Sequence, residues 1–367
     1  MLNYGKQHID EDDIKAVVEV LKSDYLTTGP KVKEFENALC KYTGAKYAIA
    51  VSSGTAALHI ASLILLKPAD LVITTPNSFV ATSNSILYAN AIPFFVDINE
   101  DGNINLDKAI NILKQLANRV KALYITHFSG RAVDMEKLQY IKEKFNIKIL
   151  EDSAHALGGD FILDKKYKLS NPILSDISIL SFHPVKSITT AEGGAILTNN
   201  EEIAKKARLL RNHGIVKPKN WEYDQIELGF NYRMSDLQAA LGISQLKKID
   251  KFIKKRRELA KRYDNAFKNS PIKPLYPYDE NSAYHLYVVR VKNNKKIFEK
   301  LLKKGINPQI HYIPIPLHTY YQKLGFEINL LPNAIQYYKQ ALTLPLYPDL
   351  KENEQDYVIN SLKEIVE

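Results

Sequence analysis

The chain has 367 residues, of which 45% are hydrophobic and 25% charged, with a formal net charge of +9. That composition excludes a disordered or fibrous protein and allows two packed domains. The charge excess is modest for this length; it suits attraction of an anionic metabolite such as a nucleotide diphosphate and does not require nucleic acid.

A single cysteine, Cys40, rules out a disulfide within the chain and fits a reducing cytoplasm. The start Met1-Leu2-Asn3-Tyr4-Gly5 has no signal-peptide pattern, and apolar stretches such as Ala56 to Leu66 fall short of the roughly 20 residues a membrane span needs. The expectation is a soluble cytoplasmic protein, with neither a membrane nor a metal among its partners.

In chain order, Asp10 to Leu21 reads as a helix, Thr28-Gly29-Pro30 punctuates the chain, and a second helix contains Lys31 to Tyr42. From residue 45 to about 200, short β-branched runs alternate with stretches whose apolar residues recur every three or four positions. Such alternation predicts a parallel sheet covered by helices. Strands are expected at Tyr47-Val51, Leu71-Thr75, Ile92-Val96, Ala122-Thr126, Ile147-Leu150, Ile177-Ser181 and Gly194-Leu197. Several are apolar throughout, as strands covered on both faces should be. Helices are expected at Thr55-Leu66, Phe79-Tyr88, Leu106-Leu116 and Asp134-Phe145.

After Asn199 the pattern predicts a helix to about Arg211, an irregular polar loop through Asn220-Trp221, and one long helix from Ser235 to Phe267. Pro271, Pro274 and Pro277 mark a change of unit. From His285 onward, strand, helix, strand and closing helix predict a smaller α/β domain. The expected division is a large domain over 1–250 and a small one over 251–367. The basic run Lys247-Lys248 through Lys254-Lys255-Arg256-Arg257 has no interleaved aromatic beyond Phe252, and reads as the solvated face of the long helix rather than a nucleic-acid patch.

Four pieces carry chemistry. In the first, a strand runs into Ser181-Phe182-His183-Pro184-Val185-Lys186, with Gly193-Gly194 and another strand behind it. A lysine just beyond a buried strand end can lose water, which lowers its pKa and lets it form an imine with an aldehyde. The chain holds many ordinary surface lysines, so this feature gains meaning only from the others.

The second piece is Ile149-Leu150-Glu151-Asp152-Ser153-Ala154-His155. An acidic residue at the carboxyl end of a strand stands where open α/β sheets place ligands, and it can keep a pyridine nitrogen protonated. A helix N-cap is the competing reading.

The third, Ser52-Ser53-Gly54-Thr55-Ala56-Ala57-Leu58, joins a strand to a helix whose free N–H groups suit a phosphate. It lacks the lysine of a nucleotide-triphosphate loop. In the fourth, Gly229-Phe230-Asn231-Tyr232-Arg233-Met234-Ser235-Asp236, Ser235 reads as a helix cap while Asn231 and Arg233 have no structural explanation.

In order, spacing and setting, these pieces resemble the sugar aminotransferases of the DegT/DnrJ/EryC1/StrS family, from Leu26-Thr27-Thr28-Gly29 near the start to His311-Tyr312 in the smaller unit. The resemblance implies the aspartate aminotransferase-like fold (pyridoxal-phosphate fold type I): a large domain with a mainly parallel seven-stranded sheet, plus a small C-terminal α/β domain. It implies pyridoxal 5'-phosphate as cofactor, passing through pyridoxamine 5'-phosphate. Lys186 would be the Schiff-base lysine, Asp152 the partner of the pyridine nitrogen, and His155 a neighbour of the phenolic oxygen. Thr55 and Ser181, with the Gly54 backbone, would bind the phosphate. Phe79 matches a ring that stacks on the cofactor, though ordinary helix packing also accounts for it. Asn231 matches a residue that reaches the neighbouring subunit's cofactor, which implies a homodimer with shared active sites.

Within the family, Asp101-Gly102-Asn103-Ile104, Thr189-Thr190-Ala191-Glu192-Gly193-Gly194 and His213-Gly214-Ile215-Val216-Lys217 look most like the 4-aminotransferase of the pseudaminic acid pathway, which serves surface polysaccharide or flagellin glycosylation. Such an enzyme moves the amino group of glutamate to a UDP-linked 4-keto-6-deoxy-N-acetyl-hexose. Ser52-Ser53-Gly54-Thr55-Ala56 departs from the Asn-Ser-Ala-Thr-Ser of that branch, which leaves open a perosamine synthase-like or 3-keto-sugar aminotransferase. Thr28, His183, His311 and Tyr312 are the candidates for contact with substrate. A sugar dehydratase of the same fold would carry histidine in place of Lys186, and a cofactor-binding regulator of gene expression is supported only by the basic helix and the net charge.

Overall fold

The computed structural model describes residues 1–116 and 118–366; Glu367, the last residue of the expected smaller unit, lies outside the described residues. Seven strands form the main sheet: β1 (Tyr47–Val51), β2 (Leu71–Thr74), β3 (Ile92–Phe95), β4 (Val120–Thr126), β5 (Lys148–Asp152), β6 (Ile177–Ser181) and β7 (Gly194–Thr198). Their order is β1-β7-β6-β5-β4-β2-β3. All run parallel except β7, which pairs antiparallel with β1 and β6. This is the mainly parallel seven-stranded sheet expected. In register, Asp152 lies opposite Thr126 of β4 and Ile179 of β6, so the strands end along one edge of the sheet.

Several helices begin where a side chain caps them. Asp10 closes a capping box on α1 (Glu11–Leu21), and α2 (Pro30–Thr43) starts on proline and stops at Gly44, whose φ of 80° suits glycine. Ser53 caps α3 (Gly54–Leu65). Then come α4 (Val80–Tyr88), α5 (Leu106–Leu116), α6 (Met135–Lys144) capped by Asp134, and α7 (Glu201–Arg211) capped by Asn200. Ser235 caps α8 (Asp236–Leu246) in a box with Gln238, as its sequence position suggests.

The sequence reading is corrected at three places. The expected single helix from Ser235 to Phe267 is two, α8 and α9 (Ile249–Phe267). Between them Lys248 turns its amine to Asp10 and Asp13 at the start of α1, and no glycine or proline marks the break. The expected loop through Asn220-Trp221 is a hairpin, Ile215–Lys219 against Glu222–Gln225. Its strands are largely exposed, so no apolar alternation announces them. The basic run is not wholly solvated either: Arg256 is fully buried, and its Nη1 donates to the carbonyls of Tyr284, His285 and Leu346.

The C-terminal part has a three-stranded antiparallel sheet, β8 (Lys273–Pro274), β9 (Tyr287–Arg290) and β10 (Ala341–Leu344), with α10 (Asn294–Lys303), α11 (Thr319–Lys323), α12 (Pro332–Tyr338) and α13 (Glu352–Val366) around it. Leu2–Asn3 pairs with Ile306–Asn307, stitching the N-terminus to this unit. One apolar core holds Leu259, Tyr263 and Phe267 of α9 together with the C-terminal sheet, whereas Ile249 and Ile253 of the same helix join a core with Phe35, Leu180 and Leu197. Among the described residues no helix is long and apolar enough to cross a membrane.

Candidate active site

Ten of the twelve expected site residues line one cavity of about 430 Å³ at the carboxyl edge of the sheet, a size that suits a small organic group. The ten are Gly54, Thr55, Phe79, Asp152, His155, Ser181, His183, Lys186, His311 and Tyr312. Thr28 does not join them; it sits in a separate cleft with Lys33, Arg208, Arg211 and Arg233. Asn231 is exposed and bridges to Asn212 outside the cavity, while Arg233 Nη1 donates to Asn212 Oδ1 at 2.8 Å.

Asp152 is the last residue of β5 and is buried. Thr82 Oγ1 donates to its Oδ2 at 2.6 Å and the Ala154 N–H to its Oδ1 at 3.1 Å. No helix follows, so the N-cap reading does not hold. Burial raises its pKa above the ordinary carboxylate value, against the pull of Thr82, Ala154, Lys186 and His127. Among the described residues this carboxylate has hydrogen-bond donors but no ion-pair partner. A buried anion so placed favours a positive ligand.

Lys186 follows β6 in a turn closed by its own N–H donating to the His183 carbonyl. Its side chain is half-buried in the cavity wall. Loss of water pulls its ammonium down from the usual 10.5 to about 8, with Asp152 opposing. At neutral pH a usable fraction of the amine is therefore neutral and nucleophilic.

The start of α3 lies against the end of β6. A Cβ on Gly54 would come within 2.9 Å of the Ser181 Cβ, and one on Gly194 within 2.4 Å of the Ser53 carbonyl oxygen, so both glycines permit this close approach. The result is a helix N-terminus with Thr55 and Ser181 beside it in the cavity wall, an arrangement suited to a phosphate. Taken together, the reactive amine, the unpaired buried carboxylate and this cradle fit a group bearing an aldehyde, a protonated ring nitrogen and a phosphate.

The opposite wall is aromatic. Phe79 stands before α4, 60% exposed, with its ring 6.4 Å from that of Tyr312. The Ser129 N–H donates to His155 Nδ1 at 3.3 Å, so the proton of this imidazole sits on Nε2, which faces the Tyr312 hydroxyl at 3.1 Å. That leaves the Tyr312 proton free to point at a ligand. Burial keeps His155 neutral, well below its ordinary pKa, with Lys186 and His311 adding to the effect. Burial likewise takes His311 down to about 3, helped by Lys186. His311 Nδ1 lies 2.9 Å from Thr343 Oγ1, and its ring packs on Tyr4.

Sequence reasoning missed Thr82, Tyr4 and His285, all of which line or support this cavity. Thr82 had one visible signal, the small polar run Thr82-Ser83-Asn84-Ser85 in a helix that is otherwise largely buried. His285 had none, since only the fold carries it to within 3.5 Å of Lys186.

The profile of the DegT/DnrJ/EryC1/StrS aminotransferase family matches residues 7–363. A UDP-4-amino-4,6-dideoxy-N-acetyl-beta-L-altrosamine transaminase of Campylobacter jejuni is 41% identical over 374 residues, covering 100% of this chain and 98% of the relative. Among solved structures, Helicobacter pylori PseC, an aminotransferase involved in the biosynthesis of pseudoaminic acid, matches with a TM-score of 0.92 at 36% identity, over 100% of this chain and 99% of that one. Spr1654 of Streptococcus pneumoniae in its PMP form matches with a TM-score of 0.93 at 32% identity, over 100% of this chain and 97% of that one.

Proposed function

Because the chain belongs to the DegT/DnrJ/EryC1/StrS aminotransferase family, whose members use pyridoxal 5'-phosphate, we propose that it moves the amino group of glutamate to a UDP-linked 4-keto-6-deoxy-N-acetyl-hexosamine. The product is then UDP-4-amino-4,6-dideoxy-N-acetyl-L-altrosamine. What carries this reading is that Lys186 and Asp152 share one cavity in a chain similar from end to end to transaminases of that sugar.

When bound, the cofactor supplies an aldehyde that condenses with amines and a ring that takes up electrons from the adjacent carbon. Lys186 is the amine that holds it and, once displaced by the donor, the base that moves one proton between carbons. Asp152 keeps the ring nitrogen protonated, a fixed charge that needs no reorganisation during the reaction. Gly54, Thr55 and Ser181 would hold the phosphate, and Phe79 would cover the ring. His155 and Tyr312 would meet the phenolic side, while His183 and His311 are the cavity residues left to contact the sugar. Thr28, Lys33 and Arg233 form a basic cleft suited to anionic substrate parts.

Asn231 lies outside its own chain's cavity, which supports a homodimer in which each copy completes the other's phosphate site. The same reading divides the chain near residue 250, and α9 supports that by packing its start on one core and its end on the other. The protein works in the cytoplasm, where glutamate and nucleotide sugars are made.

A panel of UDP-, GDP- and dTDP-linked keto-sugars with glutamate, followed by 2-oxoglutarate release, tests the substrate. The UDP-linked 4-keto-6-deoxy-N-acetyl sugar should exceed the others in kcat/KM by about tenfold or more. A 3-keto-sugar used equally well would overturn the assignment.

A further inference from the structure

His285 is left without a task. It sits on the turn into β9 and is buried, with its ring 4.3 Å from that of His155 and its Nε2 3.5 Å from Lys186 Nζ. Its Nδ1 is buried and has no hydrogen-bond partner among the described residues. The buried Arg256 of α9 grips the carbonyls of Tyr284 and His285, fixing the backbone that carries the ring. The groups that face His285 are Lys186 and His155 from the large sheet's edge, His311 from the C-terminal unit and Arg256 from α9. None is a carboxylate. Burial first, and these groups second, hold the imidazole well below its ordinary pKa. A neutral ring has one acceptor nitrogen, and here Nε2 is the nitrogen turned to the lysine.

We propose that His285 is a positioning residue for Lys186: its Nε2 accepts a hydrogen bond from the freed lysine nitrogen, above all while that nitrogen carries the transferred proton, and keeps it inside the cavity. The proposal rests on Lys186 being the amine that holds the cofactor. With the cofactor bound, a donor amine would displace the lysine as a free primary amine, which would take one proton from the substrate carbon and return one to the cofactor carbon. Protons and electrons therefore balance with no further reagent. Between those two transfers the nitrogen is an ammonium on a four-carbon stem, and a fixed acceptor limits where it can swing. The 3.5 Å contact is long, as such contacts often are before a site is loaded.

The test compares H285L, H285Q and H285N in the full-length protein. Glutamine carries an amide to the place of Nε2, asparagine falls short of it, and leucine offers no polar atom. The first readout is the pH dependence with which cofactor-free protein, mixed with pyridoxal 5'-phosphate, gains a borohydride-fixed adduct on Lys186. Losing the acceptor destabilises the ammonium, so H285L should move the midpoint down by about one pH unit. The second is the glutamate half-reaction, where H285L should lose about tenfold or more in kcat with KM within about twofold. H285Q should recover most of both and H285N neither; if H285L fails to fold, the comparison of glutamine with asparagine decides. Three variants all like wild type, or all equally impaired, would overturn the role of His285. Absence of any adduct on Lys186 in the wild-type protein would instead overturn the reading beneath it.

Discussion

Thr82 Oγ1 and Asp152 Oδ2 meet at 2.6 Å, joining α4 to the carboxyl end of β5. The threonine takes up one lone pair and fixes the carboxylate's plane, so the proposed partner of the ring nitrogen is held by a side chain of α4 as well as by the Ala154 N–H. Hydrogen bonds to charged groups are worth about 1.5–3 kcal/mol. T82V, nearly the same shape, should lower kcat about 10- to 100-fold, and T82S should retain most activity. Single-turnover rates of the glutamate half-reaction check this, and a T82V protein as fast as wild type would sink it.

Asp152→Asn separates chemistry from folding. Turnover should fall by about 10²–10³ or more with the loss of a preorganised charge. Stability should move the other way in the cofactor-free protein. Burial raises the Asp152 pKa, so the folded state binds its proton more tightly than the unfolded chain, and stability is lost as pH climbs from the ordinary carboxylate value through the raised one. Asparagine carries no such charge, and the Thr82 hydroxyl can turn to accept from its amide. Thermal unfolding at neutral pH should show cofactor-free D152N at least as stable as wild type. A clear drop would mean that the charge is already paired without cofactor.

These two residues differ in how far the sequence exposes them. Asp152 ends one apolar strand and Lys186 follows another, and strand ends in a doubly covered sheet are readable from periodicity. The sheet was legible for the same reason: seven short buried runs with helices between them admit few arrangements. Thr82 and His285 act on partners 70 and 99 residues away, a distance no local pattern encodes. Arg256 looks like its solvated neighbours in a basic run, and only packing reveals it as a buried clamp. The break before Ile249 likewise coincides with a long-range contact, Lys248 reaching Asp10 and Asp13.

The pH dependence of Lys186 has a definite sign. Its pKa falls from 10.5 to about 8 on folding, so between those values the unfolded chain holds more protons, and stability of the cofactor-free protein should rise with pH across that window. K186M should remove the rise. The rate of adduct formation with pyridoxal 5'-phosphate should drop about tenfold per unit below a midpoint near 8 and level off above it. A midpoint close to 10.5 would show the amine to be fully solvated.

Arg256→Met would strip donors from three carbonyls at once, those of Tyr284, His285 and Leu346. Leaving buried acceptors unpaired costs about 1–3 kcal/mol each, less what relaxation recovers, so a loss of about 3–5 kcal/mol is expected. Urea unfolding with an unchanged slope would report it as a lower midpoint. A loss below about 1 kcal/mol would mean that water replaces the guanidinium.

Asn231 offers the sharpest test of assembly, because it is exposed and does not line its own chain's cavity. If each copy completes the other's phosphate site, K186A and N231A should both be inactive alone yet restore activity when unfolded and refolded together. In a mixed dimer one site receives both damaged residues and the other receives neither. Mixed dimers form about half of a random two-fold assembly, so about one quarter of wild-type activity should return. The value follows from symmetry rather than from any rate. No recovery from two variants that do form mixed dimers would place Asn231 outside the partner's site.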